Sequence, residues 1–292
     1  MKQDIPNIPF KKEQFLGIEV MSFQELLEKL KETENHDPYS VHRIKFYLIL
    51  VISKNSYTHF VDFKSYDLKE GSVLFLAYNQ VHHFTKALLD SDGYCILFSS
   101  DYVDKYYFLS DNIKLNRLFN YHIESPVIHQ TEIGGESLIS LASDAYKEYK
   151  LPQDAFKSEI LGSLLHILLL KAERTKEDSA VSSVKTGWME IFSKFKNLLE
   201  KDYSKTRNSK DYAAQLLISY KLLNQVVKKL TGKTVKAFID DFVIIEIKRY
   251  LVTTSLSVKE ISFQTGFEEP ANMVKFFKKS TNQTPLKFRQ QL

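Results

Sequence analysis

The chain has 292 residues, with 40 Lys+Arg against 36 Asp+Glu and a formal net charge of +4. Hydrophobic residues at 43% and charged residues at 26% exclude a mainly disordered chain, and the length suits two domains. A single cysteine, Cys95, excludes an intramolecular disulfide and a cysteine-based zinc site, which favours a reducing cytoplasm.

Residues 1–10 carry Lys2, Asp4, Pro6 and Pro9 and no apolar run, so they do not read as a signal peptide. The longest apolar stretch, 160–170, is interrupted by Gly162, Ser163 and His166. It falls far short of the ~20 residues that cross a bilayer, so a cytoplasmic protein with no membrane partner is expected. A short helix is predicted over 22–31, with Ser22 as cap, Glu25 three residues on, and Leu26, Leu27 and Leu30 as its apolar stripe. Five strand-like runs follow: 44–53, 57–66, 72–78, 81–86 and 94–98. Between them stand the turn signals Lys54-Asn55-Ser56, Glu70-Gly71, Asn79-Gln80 and Ser91-Asp92-Gly93. Short strands at this spacing suggest a barrel or sandwich.

Two helices are predicted next. Residues 135–149 carry Leu138, Leu141, Ala142 and Ala145 at helical spacing, and residues 156–171 carry Ile160, Leu161, Leu164, Leu165, Leu168 and Leu169. The second is apolar over more than one face, so it is either an internal core helix or a homodimer interface. His42, His59, His82 and His83 fall in the strand region, where small barrels can hold a metal. There is no His-x-His pair, and the adjacent His82 and His83 point to opposite faces of a strand. Hydrogen-bonded or surface histidines, with no metal and no cofactor, are the expectation.

Residues 171–185, KAERTKEDSAVSSVK, have no aromatic residue and no apolar period and read as a linker. The domains are therefore expected at 1–170 and 188–292, joined by 171–187. The charge divides here as well. Residues 1–185 hold 21 Lys+Arg and 26 Asp+Glu, net −5; residues 186–292 hold 19 and 10, net +9. A compact basic half beside an acidic one points to a polyanionic partner.

That basic half contains a repeat. Residues 228–238, KKLTGKTVKAF, match 278–288, KKSTNQTPLKF, at an offset of 50. The helix before each match shares a stripe: Leu223, Val226, Val227 and Leu230 in the first copy, Met273, Phe276, Phe277 and Ser280 in the second. Shorter helices, 209–217 and 257–264, precede them across tight connections, Ile218-Ser219 and Thr265-Gly266-Phe267. Helix, turn, helix, twice on a basic background, is the pattern of two helix-turn-helix units. In such units the N-terminal, non-core side chains of the second helix reach base edges in the major groove of double-stranded DNA. Those are Tyr220, Lys221, Asn224 and Gln225 in the first copy, and Pro270, Ala271, Asn272, Val274 and Lys275 in the second. The second set is poorer in donors and is expected to read fewer bases. Lys228, Lys229, Lys233, Lys278 and Lys279 are candidate phosphate contacts. A long helix over 235–253, marked by Phe238, Phe242, Ile245 and Tyr250, would hold the recognition helices about 34 Å apart, in successive major grooves.

Residues 188–292 resemble the AraC/XylS family of transcriptional regulators. The likeness is carried by YAAQLLIS and YKLLNQVVKKLTGKT, by SVKEISFQTGFEEPANMVKFFKKSTNQTPLKFR, and within it by Gly266-Phe267-Glu268, Phe276-Phe277-Lys278-Lys279, Thr284-Pro285 and Phe288-Arg289. The first half resembles the cupin-type sensor barrel of that family through His42-Arg43, Phe46-Tyr47, the Glu70-Gly71 turn, Asn79-Gln80-Val81-His82, Tyr94-Cys95 and Phe98-Ser99. Phe242 follows Asp240-Asp241 where the family usually has Arg, Ile247 replaces a small residue, and Asn282 stands at a common Gly. Asn tolerates the left-handed conformation, so that turn is expected to survive.

The resemblance implies a multidomain α+β protein: a cupin-like β-barrel with flanking helices, then an all-α, homeodomain-like double helix-turn-helix domain. It implies a sequence-specific DNA-binding regulator controlled by a small-molecule effector or by dimerisation, with RNA polymerase as a further candidate partner. The rival is a metal-dependent cupin enzyme with an accessory DNA-binding domain. No Gly-rich phosphate loop, nucleophile elbow or His-Glu-x-x-His occurs in the sequence, so no enzyme is expected. A third option, a protein-interaction adaptor, leaves the duplicated basic unit without a purpose.

Overall fold

The computed structural model describes residues 7–9, 16–31, 39–105, 117–129, 137–175 and 186–290. Two compact units occupy Pro6–Ser182 and Ser183–Leu292, divided close to the cut that the charge suggests.

The first unit opens with β1 (Asn7–Pro9), β2 (Ile18–Ser22) and α1 (Phe23–Lys31). Ser22 caps α1 as its sequence implies: Glu25 N–H donates to Ser22 Oγ at 3.2 Å, and Ser22 N–H donates to Glu25 Oε2 at 3.0 Å. Then come β3 (His42–Lys45), β4 (Tyr47–Lys54), β5 (Ser56–Val61), β6 (Lys64–Lys69), β7 (Ser72–Leu76), β8 (Val81–His83), β9 (Asp92–Phe98), α2 (Ser100–Lys105) and β10 (Val127–His129). They form two five-stranded sheets, ordered β1-β3-β8-β5-β6 and β10-β7-β4-β9-β2. Only the β1–β3 pair is parallel among the described residues.

Strand β4 shows why the sheets stack. Its run Leu-Ile-Leu-Val-Ile is apolar without alternation, the mark of a strand buried on both faces. Leu48, Leu50 and Ile52 join Ile44, Tyr57, Val61, Leu68 and Phe84 in a core between the sheets. Ile49 and Val51 point the other way and join a second core with α3 (Leu138–Lys150) and α4 (Lys157–Arg174). Two sheets face to face with helices on the outer side give the β-rich domain that the sequence leads one to expect. Leu161, Leu165, Leu168 and Leu169 of α4 lie in that second core, while Ile160, Ile167 and Leu170 on the same helix are exposed, as is Phe156 before it. The helix is thus a core element that also carries an outward apolar face.

Several expected boundaries move. The 44–53 run breaks at Phe46, and 57–66 is a hairpin rather than one strand. Its turn, Asp62-Phe63, has φ of 46° and 69°, the left-handed pair that a two-residue hairpin loop needs. Ser91-Asp92-Gly93 is not a turn, because β9 starts at Asp92. Gly93 lies opposite Ile52 in the ladder, where a Cβ would stand 2.2 Å from the Val51 carbonyl oxygen. The linker does not start at Lys171: α4 continues to Arg174 with Ala172 buried. Residues 176–185 lie outside the described residues, as do residues 1–6 and Gly135.

The second unit is all helical: α5 (Thr186–Asp202), α6 (Ser209–Gln215), α7 (Tyr220–Thr231), α8 (Val235–Thr253), α9 (Val258–Gln264), α10 (Pro270–Thr281) and α11 (Pro285–Gln290). Phe192 and Phe195 of α5 lock onto α6 and α8, with Phe195 5.6 Å from Tyr212 and Phe192 5.4 Å from Phe238, centroid to centroid. Helix α8 is buried along most of its length and touches α6, α7, α9 and α11. Phe242, a departure from the family pattern, packs on Tyr203 at 5.5 Å. Arg289 closes the far end of α8 by donating from Nε to the Leu251 carbonyl at 2.9 Å.

Candidate nucleic-acid interface

The two copies of the repeat are built alike. Asn208 caps α6 by accepting from Lys210 N–H at 3.2 Å, and Ser257 caps α9 by accepting from Glu260 N–H at 3.2 Å. Each connection is then tied back by a pair of main-chain bonds: Leu217 N–H to Ala214 O at 3.0 Å with Ile218 N–H to Ala213 O at 3.1 Å, and Gly266 N–H to Phe263 O at 3.1 Å with Phe267 N–H to Ser262 O at 2.9 Å. Each has one left-handed residue, Leu217 at φ 56° and Gly266 at φ 76°. Helices α6 and α9 are offset by 49 positions and α7 and α10 by 50, so the second turn is one residue longer. Both recognition helices end on a left-handed residue, Gly232 at φ 71° and Asn282 at φ 59°. Asn282 therefore carries the turn that its family position requires.

Gly266 has a reason beyond φ. A Cβ there would lie 2.0 Å from the Ser204 carbonyl oxygen. Arg207, in the same stretch as Ser204, places its guanidinium 3.7 Å from the Phe267 ring centroid and donates to Gly266 O at 3.4 Å. Burial lowers the Arg207 pKa, with Asp240 opposing. This tie between the two helix-turn-helix copies within the helical unit was not read from the sequence, since no repeat or spacing marks Arg207. A cleft of about 360 Å³ opens beside it, lined by Lys205, Arg207, Asn208, Glu268 and Asn272 among others.

The buried stripe of α7 is as expected, with Leu223, Val226, Val227 and Leu230 all buried. That of α10 is narrower. Met273 and Phe277 are buried, Phe276 is half-buried against Phe267 at 5.4 Å, and Ser280 is exposed with its hydroxyl donating to Phe276 O at 3.2 Å.

Tyr220, Lys221 and Gln225 are exposed along the first turns of α7, and Ala271, Asn272 and Lys275 along those of α10. Pro270 and Val274 are half-buried; Pro270 occupies the first turn of α10, where a missing N–H costs nothing. Asn224 differs from the expectation. Its Oδ1 accepts the Val235 N–H at 3.0 Å, so the amide is engaged within the domain rather than held out as a free bidentate edge. Lys228, Lys229, Lys278 and Lys279 are exposed. Lys233 is exposed too, but its Nζ pairs with Asp241 Oδ2 at 2.5 Å, which ties it to α8 and makes it the weakest of the phosphate candidates.

The first unit brings together histidines that the spacing did not join. His42, His59 and His82 are all buried, with His59 Nε2 3.1 Å from His82 Nδ1 and the His42 and His82 rings 4.2 Å apart. Adjacent strands bring them together: β8 pairs with both β3 and β5, setting His42 opposite His82. His83 points the other way and stacks on Phe60 at 4.7 Å. Burial depresses the His59 pKa to about 3, with His83 and His42 adding to the effect. Among the described residues no group of three His, Cys, Asp or Glu is arranged to hold a metal ion, and no helix is long and apolar enough to cross a membrane.

Comparison with known proteins falls on the same segments. A helix-turn-helix domain model matches residues 212–291. The HTH-type transcriptional activator RhaS of Pectobacterium carotovorum subsp. carotovorum is 25% identical over 258 residues, 86% of this chain and 87% of the relative. The HTH-type transcriptional activator RhaR of Mannheimia succiniciproducens is 22% identical over 256 residues, 86% and 87% of the two chains. Among solved structures, ToxT from Vibrio cholerae aligns over 94% of this chain and 98% of its own, at 13% identity and a TM-score of 0.47.

Proposed function

The chain belongs to the AraC/XylS family of transcription regulators, and from that premise we propose how it reads DNA and how its first unit governs the second. One observation carries the reading: two helix-turn-helix units on either side of one buried helix, each exposing the first turns of its second helix within a half of net charge +9. Helix α8 has 19 residues and is about 28 Å long. It is the strut that would set α7 and α10 into successive major grooves, about 34 Å apart. Tyr220, Lys221 and Gln225 read bases in one groove; Pro270, Ala271, Asn272 and Lys275 lie along the other. Lys228, Lys229, Lys278 and Lys279 hold phosphates. Lysine can bond guanine O6 and N7, Gln can bond adenine, and the Ala271 methyl suits a thymine methyl.

The test is selection of bound duplexes from a randomised pool by the full chain, followed by affinity against salt. Affinity should fall steeply as salt rises, because neutralised phosphates release counterions. Lys221→Ala and Gln225→Ala should each lose preference at particular bases by roughly 1–3 kcal/mol. Uniform weakening on every sequence would assign those side chains to phosphate instead.

The first unit we assign to control, through a small-molecule effector or through pairing with a second copy, in the cytoplasm. The outward face of α4, with Phe156, Ile160, Ile167 and Leu170, supports a homodimer, since an unpartnered apolar stripe is costly in water. Ile160→Asp with Ile167→Asp should convert a sedimenting dimer to monomer. A wild-type chain that stays monomeric at high concentration removes the dimer from the proposal. The two relatives above are named activators, and on that ground the proposal includes contact with RNA polymerase.

A further inference from the structure

The repeat makes an internal experiment out of Asn224. Moving by 50 positions carries Thr234, the cap of α8, onto Thr284, which accepts from Lys287 N–H at 3.3 Å just as Thr234 accepts from Ala237 N–H at 3.2 Å. It carries Thr231 onto Thr281, whose hydroxyls donate to Val227 O at 2.7 Å and Phe277 O at 2.8 Å. It carries Val235 onto Pro285 and Asn224 onto Val274.

Those last two positions change together, and the reason is one hydrogen atom. Val235 is the first residue of α8 and is 0% exposed. A first-turn N–H has no partner inside its own helix, and buried it costs free energy unless something accepts it. Asn224 Oδ1 accepts it at 3.0 Å. At the same place in the second copy stands a proline, which has no N–H to satisfy and suits the first helical position. There position 274 needs no acceptor, and it is Val.

We propose that Asn224 is a positioning residue of the first helix-turn-helix unit and not a base reader: it fastens recognition helix α7 to the start of α8, a need that the second helix-turn-helix unit removes with Pro285. The proposal rests on the DNA-reading assignment above for its functional half only. Adenine recognition by Asn uses both ends of the amide, the oxygen accepting and the nitrogen donating. At Asn224 the oxygen already serves the Val235 N–H. The first groove is then read by Tyr220, Lys221 and Gln225, with Asn224 fixing the angle at which they are presented.

The full chain is to be compared as wild type, Asn224→Val, Val235→Pro and the double variant, by urea unfolding of the helical unit and by selection of duplexes. Thr234 has ψ 157°, the extended form that a residue before proline prefers, so position 235 can accept the ring. Asn224→Val should raise the unfolded-to-folded ratio about five- to thirtyfold. In the Val235→Pro background the same change should be nearly silent. Asn224→Ala should select the wild-type sequence at every base while binding it more weakly. Equal unfolding costs of Asn224→Val in both backgrounds overturn the fastening role, and relaxed preference at one base pair with Asn224→Ala overturns the exclusion from base reading. If Val235→Pro does not fold, Asn224→Asp decides instead. It keeps an accepting oxygen and should unfold like wild type, and a loss matching that of Asn224→Val defeats the proposal. A wild-type chain that selects no sequence would dispose of the DNA reading, and the unfolding comparison would still decide the fastening.

Discussion

Leu217 and Gly266 occupy the same left-handed place in the two turns, for different reasons. At Gly266 the backbone of Ser204 approaches so closely that any side chain collides. Leu217 is 92% exposed, so its side chain buries nothing and its φ of 56° is a cost of about 1–2 kcal/mol. Leu217→Gly removes that cost and gives back about 0.4–1 kcal/mol through the more flexible unfolded chain. The helical unit should therefore gain roughly 0.5–1 kcal/mol in urea unfolding, and a loss would mean that the Leu217 side chain has a partner within the unit. Gly266→Ala should cost more than about 2 kcal/mol in the same measurement, because backbone has to move. Gly266 could be read from the sequence as a turn glycine. Leu217 could not, since leucine has no preference for this conformation, and the helix-end closure imposes it: Ile218 N–H donates back to Ala213 O and Leu217 N–H to Ala214 O.

Helices were more legible than strands, and caps explain the difference. Helix α8 runs over Val235–Thr253, the span that its pattern predicts, with Thr234 as cap at one end and the Arg289 tie at the other. Strand β4 has no alternation to read because both of its faces are covered. The β5–β6 hairpin was invisible because Asp62-Phe63 lacks the glycine that usually marks such a loop. The apolar pattern of α8 also concealed an ion pair: Glu246 and Arg249 are both buried, and Arg249 donates to Glu246 one turn away. Removing one partner strips the other buried charge of this ion pair, so Arg249→Met should destabilise the helical unit by about 3–5 kcal/mol. Glu246→Gln with Arg249→Met should recover much of that. A single-variant loss under about 1 kcal/mol in urea unfolding would show that water reaches the pair.

The whole-chain charge of +4 concealed a division that the fold reproduces: an acidic unit of stacked sheets and a basic unit of helices. Histidine divides the same way, for all eight lie before residue 185. Acidification between pH 7 and pH 5 therefore titrates imidazoles in the first unit alone. His59 decides the sign there. It lies buried among Tyr57, His82 and Phe84, and its folded pKa of about 3 is far below the ordinary value of 6.5. Between those two values the unfolded chain binds a proton that the folded chain does not, so the stabilisation present above pH 6.5 drains away as pH falls. The loss is roughly 1.4 kcal/mol per pH unit, about 2 kcal/mol by pH 5. Burial lowers the pKa of His83 and His166 in the same direction, which steepens the slope. Calorimetry of the full chain from pH 7.5 to pH 5 should show the sheet unit's transition moving down in temperature while the helical unit's transition stays almost fixed. His59→Gln, which cannot take up the proton, should flatten the dependence of the first transition. Parallel movement of both transitions, or an unchanged slope in that variant, would locate the acid sensitivity outside the histidine cluster.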